Sequence, residues 1–151
     1  MQLKWLLKKF EDLLPHELYA ILQLRNEVFV VEQNCVFQDA DGKDDKAWHF
    51  MGWLDDRLVA YTRLIPAWEF YEEPSIGRVV TSPLVRRTGV GKELMELSIQ
   101  NTEKLFGKQT IKIGAQLYLK SFYESFGFTK CSDIYLEDGI EHIYMKRKPI
   151  S

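Results

Sequence analysis

Between Pro83 and a long stretch of apolar periodicity lies Arg86-Arg87-Thr88-Gly89-Val90-Gly91-Lys92, cations arranged around a pair of glycines. Glycine lets backbone N–H groups come close to a ligand, and a helix that opens there turns its positive dipole end to the same place. The chemistry such a segment offers is anion binding. A nucleotide-triphosphate loop needs GxxxxGK followed by Ser or Thr, but Arg86 stands at its first glycine and Glu93 where the magnesium hydroxyl belongs. A dinucleotide fingerprint needs glycine at position 94, which is Leu94. Two readings remain: a phosphate or pyrophosphate cradle that requires no metal, or a plain β–α turn using glycine for positive φ.

Other residues with chemical potential are fewer. Asp39, Asp41, Asp44 and Asp45 are dense in acid, but Lys43 interrupts a calcium-loop pattern and Gly42 is out of place. They read as a solvated acidic loop. The alternative is a surface that, with Trp68, Glu69, Phe70 and Tyr71, recruits an ammonium group. Arg25 and Glu32 lie seven residues apart on one helix and share a face, which suggests a buried pair. His49, at the start of a strand, reads as a satisfied structural histidine, although histidine can titrate near neutral pH. Cys35 and Cys131 lack CxxC or Cys/His spacing and suit reduced thiols in a cytoplasmic protein, with no metal site.

The elements that must position these groups follow from periodicity. Leu3, Trp5 and Leu7 alternate as in a strand. Pro15 suits a helix start, with Leu18, Ile21, Leu22 and Phe29 as its apolar stripe. A polar loop, 34–46, leads to strands 48–54 and 58–65, joined by Asp55-Asp56-Arg57, then a third at 76–82. Val90, Leu94, Leu97 and Leu105 mark the buried side of the helix behind the glycines. A strand at 111–115 precedes a helix carrying Leu119, Phe122, Tyr123 and Phe126 at i, i+3, i+4 and i+7, which Gly127 ends. Phe128–Ser132 and His142–Arg147 read as closing strands around Glu137-Asp138-Gly139. The order implies a mixed sheet with packed helices, an α/β or α+β domain spanning 1–151. Its 46% hydrophobic content supports a core. The balance of 20 basic against 22 acidic residues argues against a nucleic-acid binder. The start, interrupted by Lys4, Lys8 and Lys9, offers neither a signal core nor a membrane span.

VVTSPLVRRTGVGKELM resembles motif A of the GNAT (Gcn5-related N-acetyltransferase) superfamily, Arg/Gln-x-x-Gly-x-Gly/Ala, with Arg86, Gly89 and Gly91 at the defined positions. QLYLKSFYESFGF resembles motif B, matched by Tyr123, Gly127 and Phe128, while Gln116 and Leu119 replace its asparagine and alanine. LRNEVFVVEQNCVFQDADGKD with His49 is similar to the ElaA-like branch. The resemblance implies the GNAT fold: a mixed, mostly antiparallel central sheet of six to seven strands, helices on both faces and a V-shaped splay between the fourth and fifth strands. It also implies an acetyl-CoA-dependent N-acetyltransferase acting on a small-molecule or peptide amine. Backbone groups of Arg87, Thr88, Gly89, Val90, Gly91 and Lys92, with the Arg86 side chain, would hold the pyrophosphate. Val79, Val80 and Thr81 would border the pantetheine, Val80 and Thr81 N–H groups would polarise the thioester carbonyl, and Gln116 would stand for a cofactor-contacting asparagine.

On periodicity alone Tyr123 is a core aromatic; the resemblance implies that it serves the departing sulfur as acid. For the base, Glu72, Glu73, His49 and a water chain stay open, with Glu72 and Glu73 near where some family members carry a catalytic glutamate. Many members pair through sheet edges, so a homodimer is one open outcome. A GNAT-type sensor that binds CoA without turnover is the rival reading, and a phosphate- or RNA-binding module is disfavoured by the charge balance.

Overall fold

Strand β1 (Lys4–Lys9) pairs antiparallel with β2 (Trp48–Leu54), β2 with β3 (Arg57–Ile65), and β3 with β4 (Ser75–Thr81). A second set centres on β8 (Ile140–Arg147), which pairs with β5 (Ile111–Gln116), β6 (Thr129–Lys130) and β7 (Tyr135–Glu137). This computed structural model describes residues 2–150. The two sets meet where the Lys112 N–H donates to the Pro74 carbonyl at 3.0 Å, at the N-terminal ends of β5 and β4. Beyond that contact no ladder joins β4 to β5, and a cleft opens between them. The splay therefore lies between the fourth and fifth strands, as expected.

Helices cover both faces. Residues on β2 and β3 alternate between them: Phe50 and Val59 pack with Val90 and Leu94 of α2 (Val90–Phe106), while Met51, Leu58 and Tyr61 pack with Ile21 and Leu24 of α1 (Pro15–Arg25). Trp5 reaches under this layer, stacked on Phe50 at 5.1 Å, and its indole N–H donates to Glu93 at 2.7 Å. Gly52 makes room for that ring, since a Cβ there would lie 2.6 Å from the indole.

Several expected boundaries shift. The buried side of α1 is Glu17, Ile21, Leu24 and Arg25, not the stripe through Leu18, Leu22 and Phe29. Its charges are tolerated because they are paired. Glu17 accepts from the Leu14 N–H at 2.8 Å and from Lys8 at 2.9 Å, and Arg25 is held by aspartates. A π-helical segment, Asn26–Glu32, then advances the face further. The C-terminal strands also differ: eight strands are present among the described residues, the 128–132 stretch contributes only the two-residue β6, and the strand that forms the final hairpin with β8 is β7. Asp138 (φ 52°) and Gly139 (φ 79°) form its turn, both in the left-handed region that suits right-twisted hairpins.

Candidate active site

The cleft between β4 and β5 widens into a cavity of about 790 Å³. Of the residues singled out from the sequence, Val79, Val80, Thr81, Arg86, Gln116 and Tyr123 line it. Val80 is buried, so only its backbone is available, whereas Val79 and Thr81 are half-exposed. β4 is bulged here: Tyr61 pairs with Val80 and Arg63 with Gly77, leaving Arg78 and Val79 without partners in the register. Arg78 takes φ 49°, which re-aims the strand next to the opening.

Arg87, Thr88, Gly89, Val90, Gly91 and Lys92 lie outside the cavity walls, on the turn and first helical residues that Arg86 connects to the cleft. Gly89 caps α2 in the left-handed region (φ 88°), and no side chain caps the helix. The first intrahelical bond runs from Glu93 to Gly89, so the N–H groups ahead of it have no partner within the helix. A Cβ on Gly91 or Gly89 would meet no protein atom within 4 Å. Open space above unpartnered N–H groups at a helix start fits an anionic group. Arg86 is not idle: its guanidinium donates to both carboxylate oxygens of Glu32, at 2.5 and 2.7 Å. Gln116 likewise shares its carboxamide with Gln33, at 3.3 Å. The expected Arg25–Glu32 pair is thus replaced by Arg86–Glu32.

Tyr123 belongs to α3 (Lys120–Glu124) and is 6% exposed. Its ring sits edge-on to Phe122 (5.3 Å) and Phe128 (6.1 Å), in the core formed with Ile113, Ala115 and Met145. Burial, with Tyr118 adding to it, raises its pKa well above the ordinary phenol value, so it keeps its proton at neutral pH. Tyr123 is therefore both a core aromatic and part of the cavity wall.

Three of the four aspartates in the loop are paired with arginines, while Asp45 stays exposed. Asp39 binds Arg25 Nε at 2.8 Å. Asp44 binds Arg25 at 2.7 Å and Arg63 at 2.9 Å, and Asp41 binds Arg63 at 2.9 and 3.0 Å. Burial pushes Asp41 up, but the hydrogen bonds and charges of Arg63 and Arg78 outweigh it and hold the carboxyl at about 2. Two of the three aromatic partners are occupied, Phe70 by Lys43 and Arg63 and Tyr71 by Lys112, whereas Trp68 is exposed. Among the described residues no His/Cys/Asp/Glu group is gathered as a metal site.

The candidate bases fare differently. His49 is fully buried; Nδ1 lies 2.6 Å from the Tyr61 hydroxyl and Nε2 2.8 Å from the Asp44 carbonyl. Burial lowers its pKa, which leaves a neutral, doubly bonded ring with a structural role. Glu73 is paired with Lys146 at 3.0 Å, and neither Glu72 nor Glu73 reaches the cavity wall. Sequence reasoning missed the wall that β7 and β8 supply, with Tyr135, Glu137 and His142. Those residues meet only through strand pairing, and no local spacing announces them.

Two antiparallel sheets that meet at one end of the fourth and fifth strands and splay apart beyond it, with helices on both faces, are the architecture of an acetyltransferase of the GNAT type. Residues 24–149 match the family model described as the acetyltransferase (GNAT) domain, and the chain belongs to that family. It is 41% identical over 150 residues to protein ElaA of Escherichia coli, covering 98% of each chain. The crystal structure of that protein superposes with a TM-score of 0.91, covering 97% of this chain and 100% of that one. An acyl-CoA N-acyltransferase from Pseudomonas aeruginosa superposes with a TM-score of 0.93 at 43% identity, covering 97% of this chain and 99% of that one.

Proposed function

We propose that the chain transfers an acetyl group from acetyl-CoA to a primary amine by direct attack of the amine on the thioester. The observation that carries this reading is the continuity of the cleft. It runs from Arg86, the residue just ahead of the glycine turn that opens α2, past the bulged edge of β4, to the wall containing Tyr123. Acetyl-CoA supplies the activated acyl group and a thiolate leaving group. The backbone of Arg87 to Lys92 holds the pyrophosphate, aided by helix polarity. Arg86 turns from Glu32 to phosphate, trading one charge-assisted contact for another. Edge groups of Val79, Val80 and Thr81 hold the pantetheine and donate to the carbonyl oxygen as it gains charge.

Tyr123 keeps its proton until sulfur needs it. Its hydrogen bond to sulfur strengthens only as negative charge develops there, which favours the transition state over the bound reactants. Family membership and the likeness to the Pseudomonas aeruginosa acyl-CoA N-acyltransferase support acyl transfer.

Thiol release from acetyl-CoA, measured against a panel of small amines and short peptides, tests the reading. Release that depends on amine, with one amide formed per thiol, is expected. Tight CoA binding with no release for any acceptor would identify a sensor instead.

A further inference from the structure

The cavity has a second titratable wall, on the opposite face of the sheet from Tyr123. On β5, Ile113 and Ala115 point into the core that holds Tyr123, so Gly114 and Gln116 point to the other face. His142 on β8 stands directly opposite Gln116 in the antiparallel register, and Ile143 joins the Tyr123 core. His142 is therefore on the far face, lining the cavity while only 6% exposed. Gly114 leaves that face shallow: a Cβ there would lie 2.9 Å from the Tyr135 hydroxyl and 3.5 Å from that of Tyr71.

The imidazole is held in one orientation. Nδ1 lies 2.7 Å from the Ile140 carbonyl, which can only accept, so Nδ1 carries the hydrogen. The neutral ring then has its lone pair on Nε2, and that atom faces Glu137 Oε2 at 3.5 Å. Tyr135 stacks on the ring at 5.7 Å. The groups facing it are thus Gln116 from β5 and Tyr135 and Glu137 from β7, with Tyr144 two residues along β8. Glu137 is the one carboxylate among them.

We infer that His142 is the proton acceptor for the attacking amine, placed across the cleft from the Tyr123 acid, an inference that rests on the acetyl-transfer reading above. As the amine nitrogen bonds to the thioester carbonyl carbon, its N–H proton passes to Nε2. As the C–S bond breaks, sulfur takes a proton from the Tyr123 hydroxyl. The imidazolium then returns a proton, through solvent, to the phenolate. The overall reaction is amine plus acetyl-CoA giving amide plus CoA thiol, with neither oxidation nor reduction.

The test uses the free protein first. A long-range nitrogen–proton correlation spectrum above neutral pH should show the unprotonated ring nitrogen of His142 to be Nε2; a proton on Nε2 in the neutral ring overturns the inference. Turnover is then measured at saturating amine across pH, with CoA affinity by calorimetry. His142→Gln should lower turnover by about a hundredfold or more. It should also leave CoA affinity unchanged and abolish the wild-type fall in rate toward acid. Glu137→Gln, which spares the ring, should give a smaller loss of turnover at the same CoA affinity. Full activity in His142→Gln overturns the role of His142 while leaving acetyl transfer intact. A wild-type chain that releases no thiol with any amine overturns both.

Discussion

Replacing Tyr123 with phenylalanine keeps the ring against Phe122 and Phe128 and removes only the hydroxyl. If that hydroxyl protonates sulfur, turnover should fall by roughly ten- to several-hundredfold, with the Michaelis constant for acetyl-CoA nearly unchanged. Steady-state kinetics with melting temperatures alongside will show it; near wild-type turnover would demote Tyr123 to packing. The glycine turn was legible in the sequence because its chemistry is local, with glycines, cations and a helix start within a few residues. His142 was not, since its tautomer depends on the Ile140 carbonyl and its place in the cavity on pairing with β5 and β7. Asp39, Asp41 and Asp44 were misread for the opposite reason: local composition suggested solvation, while arginines on α1, β3 and β4 draw them inward.

At the level of elements, strands with strict alternation and the long helix α2 were readable from apolar period alone. The start of α1 at Pro15 was readable too, but its buried face was not, because Glu17 and Arg25 sit on that face and interrupt the hydrophobic stripe. The three-residue β7 is too short to carry a period, and it forms because β8 offers it an edge. One constraint between elements has a direct test. Gly52 on β2 admits the Trp5 ring of β1, so Gly52→Ala forces either the indole or the strand to move. Overpacking of this kind costs about 1–3 kcal/mol, and the loss should appear in denaturant unfolding. Wild-type stability would mean that the indole relocates at no cost.

For the whole molecule, buried arginine–aspartate pairs tie the loop after α1 to the sheet and link its stability to acid. Asp41 has a folded pKa of about 2, below its unfolded value of about 3.9. Its contribution is therefore fully present above roughly pH 4 and lost as pH falls through about 2. Thermal melts across that range should show a steep decline, shallower in Asp41→Asn, which has no carboxylate to protonate. An identical decline in the variant would assign the acid sensitivity to other groups.

The cleft itself is the central claim, that the opening between β4 and β5 together with the start of α2 is a coenzyme A groove. Gly91 tests it more cleanly than Gly89, whose left-handed backbone would be strained by any side chain. Calorimetric titration of CoA should show one site per chain in the wild type and no measurable binding in Gly91→Val at an unchanged melting temperature. Equal CoA affinity in the two proteins would contradict it.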